Sequence, residues 1–139
     1  MDEQWINTLK FHHTGCVTKS IDAAKKIYSN MLGFTNVSET FYISSQQVKV
    51  CFVEIGPAVF LELVEPEAEN PFFKELLRSK NPFYHTGFLA SNFTETLQQL
   101  ISNKFYLLSQ FNSAAFDNRQ CAFLYTPQMQ LVEIIEQKY

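Results

Sequence analysis

The chain is short of charge. Asp, Glu, Lys and Arg make up 18% of its 139 residues, against about 25% in ordinary soluble domains. A disordered, solvating chain is thereby excluded. Lys and Arg form no long run and the net charge is −3. The clustered basic face that non-specific nucleic-acid binding requires is missing. No apolar stretch nears the roughly 20 residues that span a bilayer. The opening Met1-Asp2-Glu3-Gln4-Trp5 has neither the basic lead nor the apolar core of a secretion signal. The three cysteines, Cys16, Cys51 and Cys121, show no CxxC spacing. Each lies in an apolar strand-like run and reads as a buried thiol in a reducing compartment. A cytoplasmic protein that engages neither nucleic acid nor membrane is expected. Asn36-Val37-Ser38 and Asn92-Phe93-Thr94 match the glycosylation pattern, which carries no meaning without a secretion signal.

What the chain does have is apolar and aromatic. Hydrophobic residues make up 46%, with fourteen Phe and six Tyr, enough for one continuous core in a single domain. Residues 1–9 read as a lead-in. Lys10 to Val17 reads as a strand with Phe11, His13 and Gly15 on one face and His12 and Thr14 on the other. Ser20 caps a helix whose apolar positions are Ile21, Ala24, Ile27, Tyr28 and Met31, with Gly33 as its stop. Strands follow at Asn36 to Ile43, Val48 to Ile55 and Ala58 to Glu65. Asn70-Pro71 opens a connecting helix striped by Phe72, Phe73, Leu76 and Leu77. The pattern then repeats: a strand from Phe83 to Leu89, an Asn92 cap, a helix, and strands at Lys104 to Phe111, Arg119 to Tyr125 and Gln130 to Ile135. The expected class is α+β, with the order βαβββ twice. Module one covers about 10–66, the connector 70–80 and module two about 83–136, and repeated modules of this size must pair their sheets to bury both apolar faces.

The repeat is also visible residue by residue. Phe11-His12-His13-Thr14-Gly15 returns as Phe83-Tyr84-His85-Thr86-Gly87, and Phe60 to Glu65 is echoed by Leu131 to Glu136. Each half therefore opens on a strand carrying a histidine and closes on one carrying a glutamate. A lone strand histidine is usually a hydrogen-bonded structural residue, and a lone strand glutamate usually faces water. Here Glu62 shares its face with Phe60 and Val64, and Glu133 with Leu131 and Ile135. A carboxylate among apolar neighbours is costly unless it is paired or holds a cation. Two such residues at equivalent places, with two equivalent histidines, point to one metal centre of His13, Glu62, His85 and Glu133. Two imidazoles and two carboxylates suit Co²⁺, Ni²⁺, Mn²⁺, Fe²⁺ or Zn²⁺, and without a thiolate the site is an open, catalytic type. His12 competes with His13, but its counterpart is Tyr84, so His13 is preferred. Glu65 and Glu136 also repeat, at the strand ends on the opposite face, and read as solvated edge residues. Tyr42, Phe52, Tyr106 and Phe123 fit either packing or a cleft lining.

These stretches resemble the vicinal oxygen chelate superfamily, the fold of glyoxalase I, extradiol dioxygenases and methylmalonyl-CoA epimerase. The epimerases are the most similar. The resemblance runs through His13-Thr14-Gly15-Cys16-Val17, Val48 to Gly56, Leu61 to Pro66, Tyr84-His85-Thr86-Gly87, Ala122-Phe123-Leu124 and Val132-Glu133-Ile134. It implies two paired βαβββ modules forming a glyoxalase-like, partly open β-barrel cleft, often in a homodimer, with the four His and Glu residues as metal ligands. Two loops depart from the epimerase pattern. Ala114 to Arg119 replaces a Gly-His-Gly-like stretch, and Thr126 to Gln130 is shorter and lacks glycine. The Asp-Pro-Asp-Gly motif of glyoxalase-type members is absent. An acyl-thioester, acyl-CoA-like substrate with a different acyl group or carrier is compatible with these departures.

The chemistry expected of such a site is proton abstraction next to a carbonyl, with a bound metal stabilising the enolate. Glu133 is the expected base, with Glu62 its partner across the substrate carbon. A glyoxalase I-like lyase acting on a hemithioacetal would use the same four residues. A ring-cleaving dioxygenase fits less well, since the resemblance there implies two histidines and one glutamate. A non-catalytic bleomycin-resistance-type binding protein would keep the fold without the metal. Specificity is expected where the halves differ: Ser44 to Gln47, the connector, and the loop from Asn112 to Asn118.

Overall fold

The computed structural model describes residues 9–68, 70–78 and 81–138. The expected lead-in before Leu9 and the end of the connector at residues 79–80 lie outside them. The elements are β1 (Leu9–Val17), α1 (Ile21–Lys26) running into a π-helical turn (Ile27–Met31), β2 (Phe41–Ile43), β3 (Val48–Gly56), β4 (Val59–Pro66), α2 (Pro71–Arg78), β5 (Phe83–Ala90), α3 (Phe93–Ser102), β6 (Tyr106–Ser113), a 3₁₀ turn (Ala114–Phe116), β7 (Arg119–Tyr125) and β8 (Leu131–Glu136). This is α+β, in the order βαβββ twice around α2.

The chain forms two compact units. One is His13–Tyr84, and the other holds residues 85–138 together with 9–12. In the first unit the strands lie in the order β2-β3-β4-β1. β1 runs parallel to β4, with Gly15 opposite Glu62, and β3 runs antiparallel to β4, with Phe52 opposite Glu62. The second unit repeats this as β5-β8-β7-β6. Gly87 stands opposite Glu133 in the parallel pair and Phe123 opposite Glu133 in the antiparallel one.

In each unit one sheet face is closed by that unit's own helix. Cys51, Val53, Leu61 and Leu63 pack with Ile21 and Ala24 of α1. Ala122, Leu124 and Ile134 pack with Phe93, Leu97 and Leu100 of α3. Strand alternation then turns Phe52, Glu62, Phe123 and Glu133 to the opposite face. The caps fall where the sequence puts them. Ser20 accepts from the Ala23 amide at 3.1 Å. Asn92 accepts from the Glu95 amide at 3.2 Å, while its own amide group donates to the Glu95 carboxylate at 2.9 Å. Gly33 has φ +84°, the left-handed geometry of a helix stop.

Two elements differ from the sequence reading. The strand expected over Asn36 to Ile43 is regular only at Phe41–Ile43, with an isolated bridge at Val37–Val53. The break lies at Ser38, whose hydroxyl accepts from the Phe52 amide at 2.9 Å. A side chain there takes a ladder bond that a carbonyl would otherwise accept. The helix after Ser20 is α-helical for only its first six residues, then widens to the π-turn. Of the connector stripe, Phe73 is buried and Leu76 and Leu77 are partly so, while the Phe72 side chain lies outside the described residues.

Candidate metal centre

Each unit presents one histidine and one glutamate on the sheet face away from its helix. In the first, His13 Nε2 stands 3.6 Å from Glu62 Oε1. In the second, His85 Nε2 stands 3.4 Å from Glu133 Oε1. The register explains the pairing. Each glutamate faces a glycine across the parallel strand pair, and the histidine lies two residues before that glycine on the same face. A glycine carries no side chain to fill the space, so the carboxylate reaches the imidazole on the diagonal.

All four residues are buried: His13 is 0% exposed, Glu133 3%, Glu62 4% and His85 4%. Carboxylates withdrawn this far from water need a partner of opposite charge or a cation. The separations are longer than the roughly 2.7–2.9 Å of a charge-assisted hydrogen bond. They are near the about 3.0–3.4 Å between two ligands that each sit about 2.1 Å from one ion. In each pair the nitrogen and oxygen donors, with no thiolate beside them, match borderline divalent ions.

A phenylalanine supports each pair. The Phe52 ring meets His13 edge-on at 5.8 Å, and Phe123 meets His85 at 5.2 Å. Phe111 in turn stacks on Phe123 at 5.7 Å. These contacts hold the imidazole planes through quadrupole geometry. The sequence left Phe52 and Phe123 between packing and cleft lining. The signal that separates those options is their register opposite Glu62 and Glu133, available only once the strands are paired.

His12 takes another place, packing edge-on against Phe116 at 5.3 Å, and Tyr84 packs against Phe73 at 5.4 Å. Glu65 departs from the expected solvated role. Its carboxylate accepts from the Ile21 amide at 2.8 Å, holding the first turn of α1, and lies 3.9 Å from Lys49. Glu136 accepts from the Gln120 amide at 3.2 Å. The cysteines are buried free thiols, and burial raises the thiol pKa of Cys16 and Cys51, so neither is a poised nucleophile. Among the described residues, no helix is long and apolar enough to cross a membrane.

Residues 12–123 match the family model of the Glyoxalase/Bleomycin resistance protein/Dioxygenase superfamily. No curated protein matches the sequence. Among solved structures, a hypothetical protein from Bacillus halodurans C-125 superposes with a TM-score of 0.81 at 26% identity, over 95% of this chain and 96% of that one. Methylmalonyl-CoA epimerase from Mycobacterium tuberculosis gives 0.78 at 18% identity, over 93% and 88%. A Streptomyces coelicolor methylmalonyl-CoA epimerase variant in complex with 2-nitronate-propionyl-CoA gives 0.78 at 20%, over 94% and 98%. The chain belongs to the glyoxalase/bleomycin resistance/dioxygenase superfamily and has its glyoxalase-like α+β fold.

Proposed function

We propose that this superfamily member is a divalent-metal-dependent isomerase that removes an α-proton from an acyl-thioester. The observation that carries the reading is the pair of equivalent, buried His–Glu pairs, one in each unit. His13, Glu62, His85 and Glu133 offer one ligand atom each and together would hold one ion. The epimerases among the similar structures, one in complex with 2-nitronate-propionyl-CoA, support the substrate class.

A bound divalent ion supplies Lewis acidity that lowers the cost of charge on a carbonyl oxygen. His13 and His85 would be its nitrogen donors, oriented by Phe52 and Phe123. Glu133 takes the α-proton, and Glu62 stands as the second carboxylate for delivery from the other side of the carbon. A glyoxalase I-like lyase is the second reading, favoured by the same donor set. A homodimer in the cytoplasm goes with this proposal, and light scattering on the purified protein checks the dimer.

The test is deuterium exchange from solvent into the α-carbon across a panel of acyl-CoA thioesters, with hemithioacetals in parallel. Elemental analysis of wild type and His85→Ala accompanies it. The expected result is about one divalent ion per chain, lost in the variant, and exchange on at least one thioester. Wild type with no metal and no exchange would sink the reading, and turnover of hemithioacetals alone would replace it with the lyase.

A further inference from the structure

We infer that Arg119 is the anion-binding residue of the site, gripping a carboxylate or phosphate of the substrate. The inference rests on the isomerase reading above for its substrate and on the following geometry for its place. In β7, Ala122 and Leu124 face α3, while Phe123 faces His85. The ladder to β6 is regular from Gln110–Ala122 to Ser113–Arg119. Alternation therefore puts Arg119 and Cys121 on the same sheet face as Phe123 and the His85–Glu133 pair. Arg119 lies four positions before Phe123, about 13 Å of strand. That is the spacing of a group holding the far end of a substrate whose reacting carbon sits at the glutamate.

Arg119 is only half-buried as a residue, yet its Nε is fully buried without a hydrogen-bond partner. No carboxylate pairs with it among the described residues. A buried guanidinium donor is costly to leave unmade, and its planar fork matches carboxylate and phosphate oxygens. The chain just ahead is held tightly. Asp117 and Asn118 both have positive φ, 57° and 60°. The Asn118 amide donates to the Ser113 carbonyl at 2.8 Å, and Asn112 donates to the Asn118 carbonyl at 2.7 Å. The start of β7 is thus fixed by a strained, hydrogen-bonded turn. In module one the equivalent of Arg119, four residues before Phe52, is Val48, buried at 4% exposure. Only one half of the repeat carries the cation.

The test pairs binding with turnover on metal-loaded protein. Calorimetric titrations with malonate, pyrophosphate and coenzyme A are run on wild type, Arg119→Met and Arg119→Lys, with thermal melts confirming folding. Arg119→Met should weaken the binding of one class of anion by about 10- to 100-fold. Arg119→Lys should recover part of that loss and serves as the test if the Met variant melts early. Loss for malonate alone assigns a carboxylate on the acyl group. Loss for pyrophosphate and coenzyme A assigns the carrier's phosphates. In exchange assays KM should rise for substrates bearing that anion, with kcat held and metal content unchanged. Equal anion affinity in folded wild type and Arg119→Met would overturn the inference even if exchange persists. Anion binding that depends on Arg119 without any exchange would overturn the isomerase reading and leave this one standing.

Discussion

The two modules place their His–Glu pairs by one rule and differ in what surrounds them. In both, the glutamate lies between a glycine on the parallel neighbour and a phenylalanine on the antiparallel one. In both, the helix closes the other face of the sheet. The differences gather at the strand ends. β3 begins on Val48 and β7 on Arg119. Glu65 holds the first turn of α1, whereas Glu136 reaches the Gln120 amide. Module one has an interrupted second strand, and module two has a continuous β6. The repeated parts are those that set the geometry of each His–Glu pair. The parts that have diverged are those that would meet a substrate or brace a helix. A duplicated fold can vary its rim freely because register, set by the buried face, does not depend on it.

The sharpest way to break the symmetry is to change one glutamate at a time. Glu133→Gln should lower the exchange rate by at least about 10³-fold, as removal of the base does, while Glu62→Gln costs about 10- to 100-fold. Rates from proton NMR in deuterated buffer decide it, and equal losses would make the two carboxylates interchangeable. The histidines should behave alike. His13→Ala and His85→Ala are each expected to strip the metal, and a chelator should lower the melting temperature of wild type but of neither variant. A variant that kept full metal content would remove its module from the centre.

The helices sharpen the comparison on stability. Leu97→Ala in α3 removes a buried side chain and should cost about 2–4 kcal/mol in urea unfolding. Ile21 is the comparable buried side chain on α1. Ser20→Ala and Asn92→Ala should each cost about 1 kcal/mol. The Asn92 loss should be the larger, because Glu95 reciprocates its bond. Urea midpoints with unchanged slopes check all three.

Much of the architecture was legible in the sequence because it is periodic. Alternation in Phe11 to Val17 and in Phe83 to Leu89, with apolar stripes after Ser20 and Asn92, marks strands and helices without reference to partners. The choice of His13 over His12 came from the repeat; in the structure His12 packs against Phe116. Where a side chain competes with the backbone, the pattern fails. Ser38 has strand-like neighbours, yet its hydroxyl takes the bond of the Phe52 amide. Glu65 looks like an edge residue until α1 folds back and offers it the Ile21 amide.

The sequence by itself determined the two βαβββ modules and their caps, which follow from local spacing, and it marked Glu62 and Glu133 as candidates through the cost of a carboxylate among apolar side chains. Tertiary structure alone decided which ring supports which imidazole, that a glycine opens the space beside each glutamate, and that Arg119 shares a face with the His85–Glu133 pair. Those are properties of strand register, and register is fixed only when one strand lies against another.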